Sequence, residues 1–560
     1  MVVTNVLNHV RTVLQNLLND ISGMKALLLD TFTTSIVTHI FSHSEIVNEQ
    51  VFLVRKLSSP CSEPLHHLKC VVFLSPEPDS IKALATELKE AKFCEYFIIF
   101  TSAVSDDVIR DVAAADTSSL VQWVRTYYLN FITPTPIFSH GNLPISSLAT
   151  TDIHRITNFV SSYLYTVGCI PSIRYLKGNE LSRSLAISLH STCRQNRDLV
   201  QSNPLNRAQL IIFDRREDPI SPVILPWTYH AMVSELLGIT NNRVSLNQNS
   251  QRNSSEKEFV LSPNSDTFFA TNRNLSYADV AVATQEAVAK FAREQNDVRQ
   301  VQSLSEVQNF VENYPEFRNK KSTVAKHVAI VSELVKIVEN RRLMDVCELE
   351  QCFVSSSTRD SAQISKMIDF IRDETINLYD RLRLLLILIV KYDDIPLSMI
   401  VDVDTNHREI FEKAYHKIKN YTSNRILDLF RNRTLFSKAQ NVVKKQIKSV
   451  NNVYSQHEPF ILSLIDSVRN KTLRESTWPF VDDSSSRDRP SLLILFVMGG
   501  VSLMEAQIVE EWNSKDTSMK VLLLGSNVCD HVTFLDSIIE PEGGGNLASS
   551  AINRIVSLFQ

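Results

Sequence analysis

Glycine is scarce in this chain and unevenly placed. Only 11 of 560 residues are glycine, and none lies between Gly238 and Gly499. Proline thins out there too, with only Pro315 and Pro396 between Pro263 and Pro459. Both residues break helices, so so long a stretch without glycine is predicted to be largely helical. Long apolar runs are also missing. Leu384–Val390 and Leu492–Val501 fall short of the ~20 residues that a membrane span needs. Val6, Val10, Val13, Leu17 and Ile21 recur at steps of three and four between polar residues. That pattern predicts an amphipathic helix and not a signal peptide.

An excess of positive charge is absent. The net charge is −4, which argues against nucleic acid as a partner. The eight cysteines form no CxxC pair and no cluster with histidine at zinc-site spacing. They read as reduced, mostly buried thiols, and the sequence implies no metal and no cofactor. Nor is there a GxxxxGK[ST] phosphate loop, a GxSxG elbow or an HExxH pair.

Outside the glycine-free span, short apolar runs alternate with amphipathic segments. Lys25–Asp30, Val51–Val54, Cys70–Leu74 and Tyr96–Thr101 are candidate buried strands, with a helix over 79–92 between two of them. Such alternation predicts a mostly parallel sheet with helices on both faces. A second set begins at Gln209–Asp214 and returns only at Ser491–Met498 and Lys520–Gly525. The simplest topology is an α/β domain interrupted by a helical insertion. The predicted division is 1–130, 131–243, 244–484 and 485–560, the second and fourth parts forming one domain. Asn247–Ser255 and Asp482–Asp488 are polar connectors.

Asp214, Arg215 and Asp218 follow an apolar strand, and two prolines, Pro219 and Pro222, come after them. In α/β folds ligand residues often sit at strand carboxyl ends, so a hydrolase or nucleotide-binding site is one reading. The other is that these residues bond internally and fix the turn. No nucleophile with a paired base is evident beside them, which favours the structural reading. In the helical middle, Val324, Val328, Val331, Val335 and Val338 repeat at alternating steps of four and three. This heptad-like stripe fits self-packing within a hairpin and also a template for another protein's helix. Lys438, Lys444, Lys445 and Lys448 form a basic helical face, either solvated or facing acidic helices or lipid headgroups.

Several motifs occur in a telling order. Asp214-Arg215, Asp218, Trp227-Thr228-Tyr229 with Ala231-Met232, and Glu235-Leu236-Leu237-Gly238-Ile239 lie in one run. Gly23-Met24-Lys25 precedes them. Tyr314-Pro315-Glu316-Phe317, Ala325-Lys326-His327-Val328, Tyr454 to Pro459, Asp488-Arg489-Pro490 and Gly499-Gly500 follow. Together they resemble the Sec/Munc (SM) family, nearest its vacuolar-protein-sorting branch, over nearly the whole chain. The resemblance implies a three-domain arch: two parallel-sheet α/β domains with a large helical insertion in the second. It implies a non-enzymatic protein that binds a syntaxin-type SNARE and promotes assembly of the SNARE bundle. A Rab effector is a further partner it suggests. Attachment to endosomal and trans-Golgi membranes would be peripheral, through those partners. Another SM branch, exocytic or Golgi, is the alternative.

Two contact surfaces follow from the resemblance. Ile109, Val112, Leu120 and Val124 are expected to line an apolar groove between helices that takes a syntaxin N-terminal peptide. Lys326, His327, Val331 and Val338 are expected to touch SNARE helices. Asp214, Arg215, Asp218, Trp227 and Glu235 then take structural roles.

Overall fold

The apolar runs of the first 130 residues become strands: β1 (Lys25–Leu29), β2 (Val51–Lys56), β3 (Leu65–Leu74), β4 (Phe93–Phe100) and β5 (Val121–Thr126). A computed structural model describes residues 3–59, 63–145, 152–200, 207–246, 257–263, 265–299, 304–356, 358–400, 407–423, 425–427, 456–482 and 488–539. The five strands form one sheet in the order β2-β1-β3-β4-β5, every pair parallel. Parallel strands need crossovers, and helices such as Thr31–Ile40, Pro78–Glu90 and Asp106–Ala115 supply them. Their apolar sides bury β1, β3 and β4 on both faces, which is why those strands read as continuous apolar runs.

A second sheet has six strands: β6 (Ile132–Thr135), β7 (Phe138–His140), β8 (Ser172–Tyr175), β9 (Ala208–Asp214), β12 (Leu492–Met498) and β13 (Lys520–Gly525). Their order is β6-β7-β13-β12-β9-β8. The hairpin β6–β7 is antiparallel and the other pairs are parallel. The two strands from the end of the chain therefore lie in the middle of the sheet. β9 and β12 run Ala208–Asp214 beside Leu492–Met498 without a break in register.

Two units emerge from the contacts within the chain. The first comprises Met1–Arg215, Ile461–Val501 and Ile508–Val528, and holds both sheets. The second comprises Arg216–Phe460, Ser502–Gln507 and Cys529–Gln560. The second is mainly helical, as the lack of glycine predicts. It includes Tyr229–Leu236, Tyr277–Arg299, Leu304–Asn340, Leu343–Ser355, Ser361–Arg372, Leu378–Lys391, Arg408–Ser423 and His531–Ile539, with one small antiparallel pair, β10 (Arg243–Leu246) and β11 (Lys257–Val260).

Helix Leu378–Lys391 is buried all round from Asp380 to Val390, the mark of a central helix. Its charged residues are accordingly paired. Arg383 meets both Glu350 at 3.1 Å and Asp380 at 3.0 Å, and Arg341 clamps Asp380 at 2.8 and 2.9 Å. Burial pushes the Glu350 carboxyl up to about 7, with Arg383 opposing it.

Candidate functional site

The carboxyl ends of the parallel strands are where an α/β fold binds small ligands. In the first sheet, strand order reverses between β1 and β3, and Asp30 stands at the end of β1. Its Oδ2 accepts from the Ser75 backbone N–H at 2.7 Å, the Ser75 hydroxyl at 2.6 Å and the Ser80 hydroxyl at 2.9 Å. Its Oδ1 caps helix Thr31–Ile40 through the Thr33 N–H at 2.7 Å. Both carboxylate oxygens are thus taken by donors of the protein itself.

The second sheet repeats this with other chemistry. Asp214 accepts from Asn179 Nδ2 at 2.7 Å. The fully buried Arg215 donates through Nη2 and Nε to the Gly500 carbonyl at 2.9 and 3.2 Å. Gly499 has φ +98°, and a Cβ there would sit 2.8 Å from Arg215 Cβ. The glycine pair after β12 thus makes room for the arginine, not for a phosphate.

Asp218, in the second unit, accepts from the Ser221 N–H at 3.1 Å, the Ser221 hydroxyl at 2.6 Å and the Phe460 N–H at 3.1 Å. His457 Nε2 lies 2.9 Å from the same hydroxyl. This serine–histidine pair was not legible in the sequence, because 236 residues separate its members. Its polarity is wrong for a nucleophile. The short bond to Asp218 takes the serine proton, so His457 Nε2–H must donate to the serine oxygen and cannot act as its base. Burial also holds the His457 pKa below the ordinary value. Asp214, Arg215 and Asp218 are internal brackets.

The expected peptide groove is brought together in part. Ile109, on helix Asp106–Ala115, is 38% exposed, and Val124, on β5, is 37% exposed. β5 is a sheet edge. Val124 pairs in register with Ile98, so both face the side covered by that helix. Val112 is a correction: it is 3% exposed and belongs to the core with Leu84, Ile98 and Phe100. Leu120 is partly buried against that core. Ile109 and Val124 therefore flank the space between a helix and an edge strand, not between two helices. On the opposite face of the edge, Trp123 packs against Phe97 with ring centroids 5.4 Å apart, and Arg125 lies 4.3 Å above the Trp123 ring.

The hairpin residues need a larger correction. Helices Tyr277–Arg299 and Leu304–Asn340 do pack together. Yet His327, Val331 and Val338 face inward, in a core with Trp227, Tyr229, Met232, Phe269 and Leu334. The buried stripe runs His327, Val331, Leu334, Val338, with Ile330 beside it, while Val328 is exposed. His327 is buried because its polar atoms are satisfied: Nε2 meets Asp266 Oδ2 at 2.9 Å and Nδ1 meets the Tyr229 hydroxyl at 2.7 Å. Lys326 pairs with the same Asp266 carboxylate and donates to the Val260 carbonyl at 2.8 Å. Burial alone would raise the Asp266 pKa, but His327 and Lys326 outweigh it and hold the group at about 2. Trp227 stacks edge-on with Tyr277 at 6.0 Å.

Glu235, on helix Tyr229–Leu236, accepts from the His531 N–H at 3.1 Å and touches His531 Nδ1 at 2.5 Å. Burial pushes Glu235 up to about 8 and His531 down to about 3. Burial thus favours the neutral form of each. Lys438, Lys444, Lys445 and Lys448 lie outside the described residues, as do most of the two polar connectors. Among the described residues no helix is long and apolar enough to cross a membrane.

These features define a two-sheet α/β and helical protein in which Asp30, Asp214 and Arg215, at strand ends, bond within the protein. The Sec1 family profile matches residues 25–537, and the chain belongs to that family, the SM proteins. It is 30% identical to vacuolar protein sorting-associated protein 45 of Dictyostelium discoideum, over 95% of this chain and 96% of that one. Against the Homo sapiens protein of the same name it is 30% identical, over 96% of each. A solved structure of the SM protein Vps45 in complex with the Qa SNARE Tlg2 superposes with a TM-score of 0.85, at 28% identity, covering 98% of this chain and all of that one. The Unc18–syntaxin 1 complex from Monosiga brevicollis shares the fold, with a TM-score of 0.76 at 17% identity over 96% of this chain and 100% of that one. The similarity to the vacuolar-protein-sorting branch that the motifs imply is thus found along the whole chain.

Proposed function

We propose that this protein binds a syntaxin-class (Qa) SNARE and promotes SNARE-complex assembly in endosomal and trans-Golgi transport. The observation that carries this reading is the end-to-end likeness to Vps45, in a solved structure whose partner is a Qa SNARE. The family division into 1–130, 131–243, 244–484 and 485–560 goes with it, as does peripheral residence on endosomal and trans-Golgi membranes through SNAREs and a Rab effector. The protein acts by binding and not by turnover. Supporting this, Asp30 and Arg215 are bonded within the protein, and Ser221 and His457 are paired with the wrong proton polarity for catalysis.

The syntaxin N-terminal peptide is assigned to the groove bordered by Ile109 and Val124. SNARE helices are assigned to the outward side of the hairpin, where Val282 and Val328 are exposed. SNARE segments alone are largely unfolded, and ordering each residue costs about 1–2 kcal/mol. A surface that holds helices in register meets part of that cost before the bundle nucleates. The test is binding of the purified chain to a panel of syntaxin cytoplasmic domains, with SNARE assembly followed by fluorescence transfer. Binding to an endosomal or trans-Golgi syntaxin with faster assembly supports the reading. Preference for a plasma-membrane syntaxin moves the transport step, and binding to none refutes it.

A further inference from the structure

The long helix Leu304–Asn340 changes character at one place. From Ile330 to Val338 its inward side chains lie in the core of the second unit. Among the described side chains of the helix, which begin at Lys320, His327 is the first that is buried, and Lys320, Lys321 and Ser322 are exposed. At that boundary polar bonds join the ring packing in holding the helix, and they converge on one carboxylate. Asp266 Oδ2 takes both His327 Nε2 and Lys326 Nζ. Its Oδ1 accepts from the Phe269 N–H at 2.9 Å and so caps helix Thr267–Asn272. Through Lys326 the clasp reaches the Val260 carbonyl at the end of β11, and through His327 it reaches Tyr229. Phe268 walls the imidazole at 4.5 Å. Because the carboxylate only accepts, His327 Nε2 carries the proton and Nδ1 is left to accept from Tyr229.

We propose that Asp266 is a positioning residue that fixes where the long helix leaves the core, and thereby sets the direction of its outer half. This rests on the reading that the hairpin guides SNARE helices: Asp266 touches no partner and acts through Lys326 and His327. Apolar packing tolerates small rotations of a helix, whereas two charge-assisted bonds to one buried carboxylate do not.

The test is hydrogen exchange of full-length Asp266→Asn, which keeps the shape and removes the charge, together with its SNARE-assembly rate and its affinity for a syntaxin N-terminal peptide. Protection over 320–327 falls on the order of tenfold while 330–338 stays protected. Assembly slows with peptide affinity unchanged, and Asp266→Glu restores part of both. Unchanged protection over 320–327, or a loss spread evenly through 330–338, overturns the clasp. If wild-type protein fails to speed assembly, the functional reading falls while the exchange data still decide the clasp. Should Asp266→Asn not fold, Lys326→Met and Tyr229→Phe each remove one arm: loosening confined to 320–327 supports the proposal, and even loosening overturns it.

Discussion

Tyr229 Oη lies 2.7 Å from His327 Nδ1, although 98 residues separate them. Each belongs to a motif by which the family resemblance is read, one in the Trp227-Thr228-Tyr229 run and one in Ala325-Lys326-His327-Val328. Their meeting explains why a histidine can sit in an apolar core. Tyr229→Phe leaves Nδ1 buried without a donor, at a cost of about 1–3 kcal/mol. A lowered denaturation midpoint with an unchanged m-value is the expected result.

The peptide groove separates two kinds of substitution. Val124→Arg is half exposed on the edge strand, so it should cut syntaxin-peptide affinity with little change in thermal stability. Val112→Ala should do the reverse, costing about 2 kcal/mol of core packing and sparing affinity. Leu120→Arg is a poor probe, because Leu120 packs partly against the core and both properties would move. Equal peptide affinity in Val124→Arg and wild type would place the peptide elsewhere.

At the end of β12, Gly499→Ala places a Cβ against Arg215 in a backbone conformation at φ +98°. A loss of about 1–3 kcal/mol is expected from the backbone alone. The readout is the thermal midpoint, and a neutral effect would contradict both the backbone strain and the close contact with Arg215.

Helix His531–Ile539 is fastened by a neutral pair, so its stability bends with pH. Glu235 is raised from 4.5 to about 8, mainly by burial. Its contribution is complete below 4.5 and is lost as pH rises through 8. His531 is lowered from 6.5 to about 3, also by burial, with Arg383 and Arg341 adding to it and Asp380 and Asp530 opposing. Its contribution is complete above 6.5 and is lost as pH falls through 3. The two slopes cancel between 4.5 and 6.5, where the fastening is firmest. Local opening of 531–539, read by hydrogen exchange corrected for intrinsic rate, should grow up to about tenfold per pH unit from 6.5 to 8. Glu235→Gln should flatten that rise, and a persistent slope would assign it to other groups.

Much of the fold is legible in the sequence, and the failures are specific. Lys25–Leu29, Leu492–Met498 and Lys520–Gly525 are strands because continuous apolar runs of that length fit a strand buried on both faces. The segment Leu120–Val124 misleads. An edge strand is apolar on part of one face only, and a spacing of four between Leu120 and Val124 imitates a helix. The valine stripe misleads for another reason. The buried stripe shares Val331 and Val338 with it but replaces Val328 with His327 and Val335 with Leu334, and the partners of His327, Asp266 and Tyr229, are remote in sequence. Periodicity weighs a histidine as polar; only tertiary bonding makes it a core residue. Ser221 and His457 escape notice for the same reason.

On the proposed function, this chain speeds SNARE assembly by holding a syntaxin-class SNARE. The most direct measurement is the rate of assembly of a purified endosomal SNARE set with and without the full chain, beside Val124→Arg. Faster assembly is expected with the wild-type chain, and a weaker effect with the variant at limiting protein. Assembly at the same rate with or without the chain, while a known SM protein accelerates its own SNAREs in the same assay, would contradict it.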